Sequence, residues 1–430
     1  MTITGRVPLL LLAGVVAVAL RPSAATAWAW VVAVLALVLL DLALAVSPRS
    51  LEVVRRPIEQ VRQGETTSSR LVVAHHGRRR VRGLVRDAWQ PSAGASSNRH
   101  HISLPPGGQR LLITALSPVR RGDLRAHAVT VRSTGPLGLA ARQRSRRVPG
   151  SVRVLPPFHS RKHLPSRLAR LRELDGRAAV RVRGQGTEFD SLREYVRGDD
   201  VRSIDWRATA RSRQTVVRTW QPERRRRVLL VLDTSRTSAG RVDDVPRLDS
   251  SMDAALLLAA LADRAGDTVD FLAGDRQVRA RVRGGSRTDV LPLIVEAMAG
   301  LQPVIAEADW NRLASAVLAL GRQSALVVLL TALDTAAVEE TLLPSLPALV
   351  HRHQVLVASV RDPELDRMAA RTGDVAQVYA AAAAERALAD RTRTAEVLRV
   401  LGVDVVDATA DRLPVALTDH YLSLKARGLL

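Results

Sequence analysis

The sequence predicts a multidomain chain: an N-terminal transmembrane helical hairpin, an all-β sandwich and a doubly wound α/β domain. Three observations predict it. Two apolar runs open the chain, short β-rich runs broken by glycine and proline follow, and from residue 227 continuous apolar runs alternate with helical spacing. At 430 residues the chain also exceeds what one hydrophobic core serves. The expected boundaries are 1–46 for the hairpin, 47–158 for the sandwich, 159–226 for a connector with a charged motif, and 227–430 for the α/β domain.

The first apolar run, VPLLLLAGVVAVAL, lies between Arg6 and Arg21, and the second extends from Ala24 to Leu40 and past Asp41 to Val46. Each is about long enough to span a bilayer, the first with thinning or help from its flanks. Trp28 and Trp30 fall where an interfacial aromatic belt belongs. A cleaved signal peptide, with Ala25-Thr26-Ala27 as its cleavage site, is the competing reading, against which the second apolar segment counts. Arg49, Arg55 and Arg56 follow the second run while the connecting loop offers only Arg21. The positive-inside bias then gives a multi-pass protein of the cell membrane with its soluble domains in the cytoplasm. Asp41, costly in mid-bilayer, is expected near the inner interface within reach of water.

From residue 51 to about 157 the runs LEVVRRPI, RLVVAHH, RHHISL, QRLLITALSPV and AHAVTVRS are separated by QGE, PSAGASS, PPGG, RRGD and TGPLG. That is the pattern of an antiparallel, immunoglobulin-like sandwich. Residues 160–182 are basic and partly helical in pattern. RRVLLVLDTS then reads as a parallel strand buried on both faces. A helix over residues 248–265 ends at Gly266. TVDFLAG and QVRARVR read as a hairpin, TDVLPLIVEAMAG as a helix, and ALVVLLT and HQVLVASV as two more buried strands. Two helices close the chain, one through the alanine run 380–384.

Open α/β sheets bind ligands outside the carboxyl ends of their strands, which directs attention to LDTSRTS at the first strand's exit. Asp233, Ser235 and Thr237 form D-x-S-x-T, three hard oxygens that an extended loop can turn toward one point, a set suited to magnesium. This pattern resembles the metal-ion-dependent adhesion site of the von Willebrand factor A domain. The resemblance implies a later threonine, for which Thr288 is the candidate, and a later aspartate after a downstream strand. There this chain has Thr331-Ala332-Leu333, with Asp334 displaced along the loop. The metal site is therefore degenerate, and the competing reading of Asp233 and its hydroxyls is a cap on the next helix.

Residues 194–212, EYVRGDDVRSIDWRATARS, crowd acids and arginines around one tryptophan. The chain has six tryptophans, three tyrosines and three phenylalanines, and Phe189, Tyr195, Trp206 and Trp220 place four of those twelve within about thirty residues. Aromatics ringed by arginine compose either an interface hot spot or a seam between domains, the latter locked by Asp199, Asp200 and Asp205 pairing with Arg197, Arg202 and Arg207. The seam is the reading that buried paired charges favour. Glu188, Phe189, Arg193 and Tyr195 belong to the same surface. Residues 184–235, from GQGTEFDSLREYVRGDDVRSIDWRATARS to VLLVLDTS, resemble the signature of the bacterial domain of unknown function 58 family. The likeness extends to RRG and GPLGLA upstream, RDPEL near Asp362 and YLSLKARGLL at the end. It implies two membrane segments, a β-domain, a von Willebrand A-like domain and association with a MoxR-type AAA+ ATPase.

Three functions follow as expectations. The first is a membrane-anchored adaptor or co-chaperone, not an enzyme, whose α/β domain binds that ATPase or its client. The second is a metal-dependent hydrolase using Asp233 with Glu188 or Asp190, with magnesium as cofactor. The third is a peripheral binder of anionic lipid or nucleic acid, prompted by the net charge of +22. Nucleic acid is not expected, because no RNA-binding or helix-turn-helix signature accompanies the charge, and arginine in place of lysine (present only at Lys162 and Lys425) reflects codon bias. No cysteine is present, which excludes disulfides, thiol catalysis and cysteine-ligated metals. Gly184-Gln185-Gly186 reads as a turn, and the absence of G-x-x-x-x-G-K-[ST] removes ATP hydrolysis by a P-loop.

Overall fold

The computed structural model describes residues 2–181, 188–196, 199–212, 214–221, 226–285, 289–321, 323–371 and 373–429. They form two compact units, Met1–Leu155 and Pro156–Leu430.

The first unit holds β1 (Thr2–Ile3), α1 (Arg6–Leu20), α2 (Ala24–Leu44), β2 (Leu51–Arg55), β3 (Val61–Arg62), β4 (Thr67–His75), β5 (Val81–Trp89), β6 (Ala95–Ser96), β7 (Arg99–Leu104), β8 (Gln109–Leu116), β9 (Gly122–Thr134), β10 (Ala140–Arg146) and β11 (Ser151–Leu155). One sheet has four strands in the order β2-β4-β8-β6. The other runs β1-β10-β9-β11-β3, with β5 joining β9 to β7. The two share a core. Leu51, Leu71, Val73 and Leu112 of the smaller sheet meet Val81, Val85, Ile102, Val129 and Val131 of the larger. These side chains recur every second residue, which is why the sequence alternates.

Two buried carboxylates cross-link this unit. Asp87 on β5 is bound bidentately by Arg55 of β2, at 2.7 and 3.0 Å, and accepts from Ser69 Oγ at 2.9 Å and Trp89 Nε1 at 3.0 Å. A fully buried acid with four such donors fixes one sheet against the other. Asp41, at the end of α2, accepts from the backbone N–H groups of Leu137, Leu139 and Ala140 at 2.7, 2.7 and 2.8 Å. The expectation that Asp41 lies in reach of water is therefore corrected: it is fully buried, its solvation replaced by the β9–β10 turn. That turn leaves no room for a side chain at Gly135, where a Cβ would sit 2.2 Å from the Asp41 carboxylate.

The helices themselves pack as a pair, with Trp30 Nε1 donating to Leu10 O at 2.9 Å, and they expose apolar side chains such as Leu9, Leu12, Val16, Leu35 and Leu39. Among the described residues, the helical stretch Ala24–Ser50 is the one long and apolar enough to cross a membrane. α1 has 15 residues, a rise of about 22 Å against a hydrocarbon core of about 30 Å.

The second unit contains α3 (Leu164–Arg181), β12 (Glu188–Glu194), α4 (Trp206–Thr209), β13 (Val216–Gln221), β14 (Arg227–Asp233), β15 (Arg241–Val242), β16 (Val245–Pro246), α5 (Arg247–Arg264), β17 (Thr268–Gly274), β18 (Val278–Val282), α6 (Val290–Ala299), α7 (Trp310–Leu318), β19 (Leu326–Leu330), α8 (Thr335–Ala337), α9 (Leu346–Val350), β20 (Gln354–Arg361), α10 (Pro363–Ala369), α11 (Val375–Val400), β21 (Val403–Thr409) and α12 (Leu413–Arg427). Its main sheet has the order β18-β17-β14-β19-β20-β21, parallel except for the β17–β18 hairpin. Central β14 is buried nearly throughout. Leu229 and Val231 pack with Trp310, Leu313, Leu346 and Leu398 on one face, while α5, buried from Leu248 to Ala262, contacts the sheet with α12. Coverage on both faces explains runs without polar alternation. Gly266, at φ +77°, closes α5 in the left-handed conformation glycine tolerates. The basic stretch read as a connector is built into this unit: Ser160 donates through backbone N and Oγ to buried Asp253 of α5, and Arg167 of α3 pairs with Asp419 of α12 at 3.0 Å. The sequence reading has no strand between the closing helices, yet β21 forms the sheet's edge there, its Val-Asp-Val-Val-Asp pattern being half-buried.

Asp87→Ala removes one partner of a buried ion pair and strands Arg55, and is expected to cost about 3 kcal/mol or more. Burial alone would raise the Asp87 pKa, but Arg55, with Trp89 and Ser69, carries it below the usual 3.8. A carboxyl with a depressed folded pKa contributes stability that is present above its unfolded value and lost as pH falls through the folded one. Urea unfolding of detergent-solubilised protein, followed by tryptophan fluorescence, should show wild type weakening below about pH 4, and Asp87→Ala lacking that component of the decline.

Candidate functional site at the strand exits and the charged hairpin

Asp233 ends β14 between β17 and β19, so its side chain emerges at the carboxyl edge of the sheet. Its Oδ1 accepts from Ser235 N at 2.7 Å, which turns the chain back over the strand end. Its Oδ2 accepts from Thr237 Oγ1 at 3.0 Å and from Thr331 Oγ1 at 2.7 Å. Because Thr237 gives its proton to Asp233, the 3.1 Å contact between the hydroxyls of Ser235 and Thr237 has Ser235 as donor. Asp233, Ser235 and Thr331 are all buried. The structure thus brings together the three residues of D-x-S-x-T and adds Thr331, which the sequence reading missed. Its signal was cross-strand register: Leu232 pairs with Leu330, so the next residue on each strand, Asp233 and Thr331, stand side by side. One step along, Thr234 Oγ1 donates to Asp275 at 2.9 Å. Burial pushes the Asp275 pKa up, but Arg279 at 2.8 and 3.0 Å, with Thr234, brings it below the usual value.

A small pocket of about 240 Å³, open mouth included, lies over this network, lined by Asp233, Thr237, Glu307, Trp310, Thr331 and Val338 among others. Its donor set does not fit a divalent ion. One carboxylate faces the pocket floor with both oxygens already accepting hydrogen bonds, and the hydroxyl protons of Thr237 and Thr331 point at it. Ala332 is buried where a second acid would be needed, Asp334 is exposed and caps α8 through Ala337 N at 3.0 Å, and Glu307 pairs with Arg236. Magnesium would meet here the Asp233 carboxylate and a Glu307 carboxylate already paired with Arg236. Asp233, Ser235 and Thr237, the residues expected to form a degenerate metal site, are joined with Thr331 in a hydroxyl–carboxylate network. Among the described residues no group of three His, Asp or Glu side chains gathers to hold a metal. Thr288 lies outside the described residues. Glu188 and Asp190 sit on β12, which pairs with β13 in a separate two-stranded sheet.

The charged motif is organised by its aspartates. β12 and β13 form a hairpin with a bulge between Phe189 and Ser191. Asp199 accepts from Val196 N at 2.9 Å and from Arg193 at 2.6 Å. Asp200 caps a 3₁₀ turn through Arg202 N at 2.9 Å. Asp205 caps α4 through Arg207 N and Ala208 N, at 2.9 and 3.0 Å, and takes Arg218 of β13 with its second oxygen at 2.8 Å. The Arg193 hydrogen bond foremost holds the Asp199 pKa below its usual value, and Ala208 N, then Arg218, does the same for Asp205. So the acids serve their own backbone and the arginines of the hairpin, Arg193 and Arg218. Among the described residues, Arg202 and Arg207 pair with no carboxylate; Arg197 and Gly184-Gln185-Gly186 lie outside them. Beside its exposed charges this scaffold displays apolar side chains: Leu192, Val196, Val201 and Trp206 are exposed, Trp206 by 69%, with Tyr195 partly so.

Residues 191–396 match the model of a family described as protein of unknown function DUF58. No curated protein matches the chain. Similar solved structures include BatB, a conserved hypothetical protein from Bacteroides thetaiotaomicron, 11% identical, covering 46% of this chain and 98% of that one with a TM-score of 0.27. An ASH/PapD-like domain of human CEP192 is 17% identical over 24% of this chain and 84% of its own, TM-score 0.19. The CARDB domain of a Pyrococcus furiosus protein, solved with di-metal ions, is 18% identical over 24% and 91%, TM-score 0.18. At such TM-scores none carries an argument about this chain.

Thermal unfolding tests the donor set. Magnesium at about 10 mM should leave the wild-type melting temperature unchanged, since an ion with no site gives no mass-action stabilisation. Thr331→Val, which removes one buried hydrogen bond, should cost about 1 kcal/mol with or without magnesium, and Ala332→Asp should introduce a magnesium-dependent rise. A wild-type rise abolished by Asp233→Asn would show that the network opens to take the ion.

Proposed function

We infer that the chain is a membrane-anchored binding module, an adaptor or co-chaperone whose second unit docks a partner protein. The observation that carries this reading is that Leu192, Val196, Val201 and Trp206, all within residues 192–206, are exposed on a segment whose aspartates are satisfied locally. Exposed apolar side chains on one short segment with Arg202 and Arg207, which among the described residues pair with no carboxylate, favour use as a docking surface, and a tryptophan with neighbouring arginine is the usual anchor of a protein interface. The network at Asp233 is compatible with the same reading: its floor carboxylate is engaged by three hydrogen bonds, and the pocket's other carboxylate, Glu307, pairs with Arg236. The partner is a MoxR-type AAA+ ATPase or its client, the association that the family resemblance implies. Anchorage is by both helices, α2 spanning and α1 completing the hairpin, with the two units on the cytoplasmic side that Arg49, Arg55 and Arg56 favour.

Copurification from the native host in detergent tests the reading. Tagged wild type should retain the ATPase, and Trp206→Ala should lower its recovery at least about tenfold, the scale of losing a central anchor, while its melting temperature stays near wild type because Trp206 is exposed. Equal recovery with wild type and Trp206→Ala would remove the docking face from this segment, and no ATPase with either would remove the partner.

A further inference from the structure

We propose that the end of the first unit from which the helix pair emerges is a docking surface for anionic lipid headgroups, which seats the β-unit end-on against the bilayer. The inference rests on the membrane-anchored reading above and adds the chemistry of the lipid and the orientation of the unit.

Strand register places four loops at this end. Leu51 pairs with His75, and His76 N donates to Ser50 O, so residues 45–50 and 76–80 are neighbours. Val81 pairs with Leu104, and Gly107 N donates to His75 O, which adds residues 105–108. Arg82 pairs with Thr134, which adds the 135–139 turn held by Asp41. The helix pair leaves from the same place: Thr4 N donates to Leu139 O just before α1 begins, and Arg142 Nε donates to Leu42 O at the end of α2.

Charge at this end is one-sided. Arg49, Arg78, Arg79, Arg80 and Arg82 are exposed and, among the described residues, pair with no carboxylate, while Arg6, also exposed, donates to Leu137 O at 3.3 Å. Of the acids in these loops and strand ends, Asp41 is buried and Glu52 pairs with His76 at 2.9 Å. Arg142 and Arg146 are spent on backbone carbonyls and contribute to structure. Five arginines at the foot of an exposed apolar helix pair match the sign and position of a lipid phosphate layer. The Asp41 clamp and the β1–β10 pairing, Thr2 with Ala141 and Ile3 with Ala140, make the seat rigid, because the helices and the arginine loops belong to one hydrogen-bonded body.

The absence of native cysteine allows single-site labelling. The full chain is reconstituted into phosphatidylcholine vesicles with or without about a third phosphatidylglycerol, carrying a fluorophore at Pro106→Cys in the seated end or at Thr66→Cys at the far end. Quenching by headgroup-labelled lipid is then measured. At roughly fivefold in surface affinity for each arginine near an anionic bilayer, the Pro106→Cys probe should be quenched more in the anionic vesicles, increasingly so at low salt. The Thr66→Cys probe should not respond. Arg78→Gln/Arg79→Gln/Arg80→Gln should return the Pro106→Cys signal to its phosphatidylcholine level without detaching the protein. Flotation of the wild type with both vesicle types but equal quenching in both overturns the seat while sparing the anchor. Failure to float with either overturns the anchor itself, and the seat with it.

Discussion

A carboxylate withdrawn from water must be met by donors, and this chain turns that demand into its method of assembly. Asp87 draws Arg55 and Ser69 of one sheet onto β5 of the other. Asp41 draws the backbone of the β9–β10 turn onto the end of α2. Asp233 gathers the exits of two neighbouring strands and the loop between strand and helix. Asp253 fastens the segment before α3 to the buried helix α5. In each case the apolar core supplies the bulk of the stability and the acid selects which elements meet, since a shift of one residue would leave a buried charge without donors.

This is also where reading from sequence reaches its range. Buried strands such as LVVLL and LLVL declare themselves by composition, and α5 by its spacing, because both patterns are set by local geometry. The partners of buried acids are set by register across strands that lie far apart in sequence. Asp233 was legible as the end of a strand, and Ser235 and Thr237 as nearby hydroxyls, but Thr331 lies 98 residues away and enters only once β14 and β19 are aligned. Asp41 reads as an anomaly in an apolar helix, and nothing near it in sequence announces that residues 137–140 will solvate it. The helix α1 matches the composition of a membrane segment and falls short in length. β21 escaped because its aspartates break the apolar run that marked its neighbours.

The charged hairpin illustrates a related ambiguity. Alternating acids and arginines suggest mutual pairing, yet each of Asp199, Asp200 and Asp205 takes a backbone N–H, and the arginines that pair come from β12 and β13. Aspartate before a short turn is a cap first, because the donor two or three residues ahead is already within reach. Once caps absorb the acids, the remaining arginines and the tryptophan face outward together.

The clamp on Asp41 sets an order of events during synthesis. The carboxylate leaves the ribosome 96 to 99 residues ahead of the three amides that will solvate it, and β1 waits longer still for Ala140 and Ala141. Until the β9–β10 turn has formed, the end of α2 carries a hydrated charge and the helix pair is free to reorient. The turn's arrival ends that freedom, so a nascent chain commits its helices to one geometry only when most of the first unit has been made.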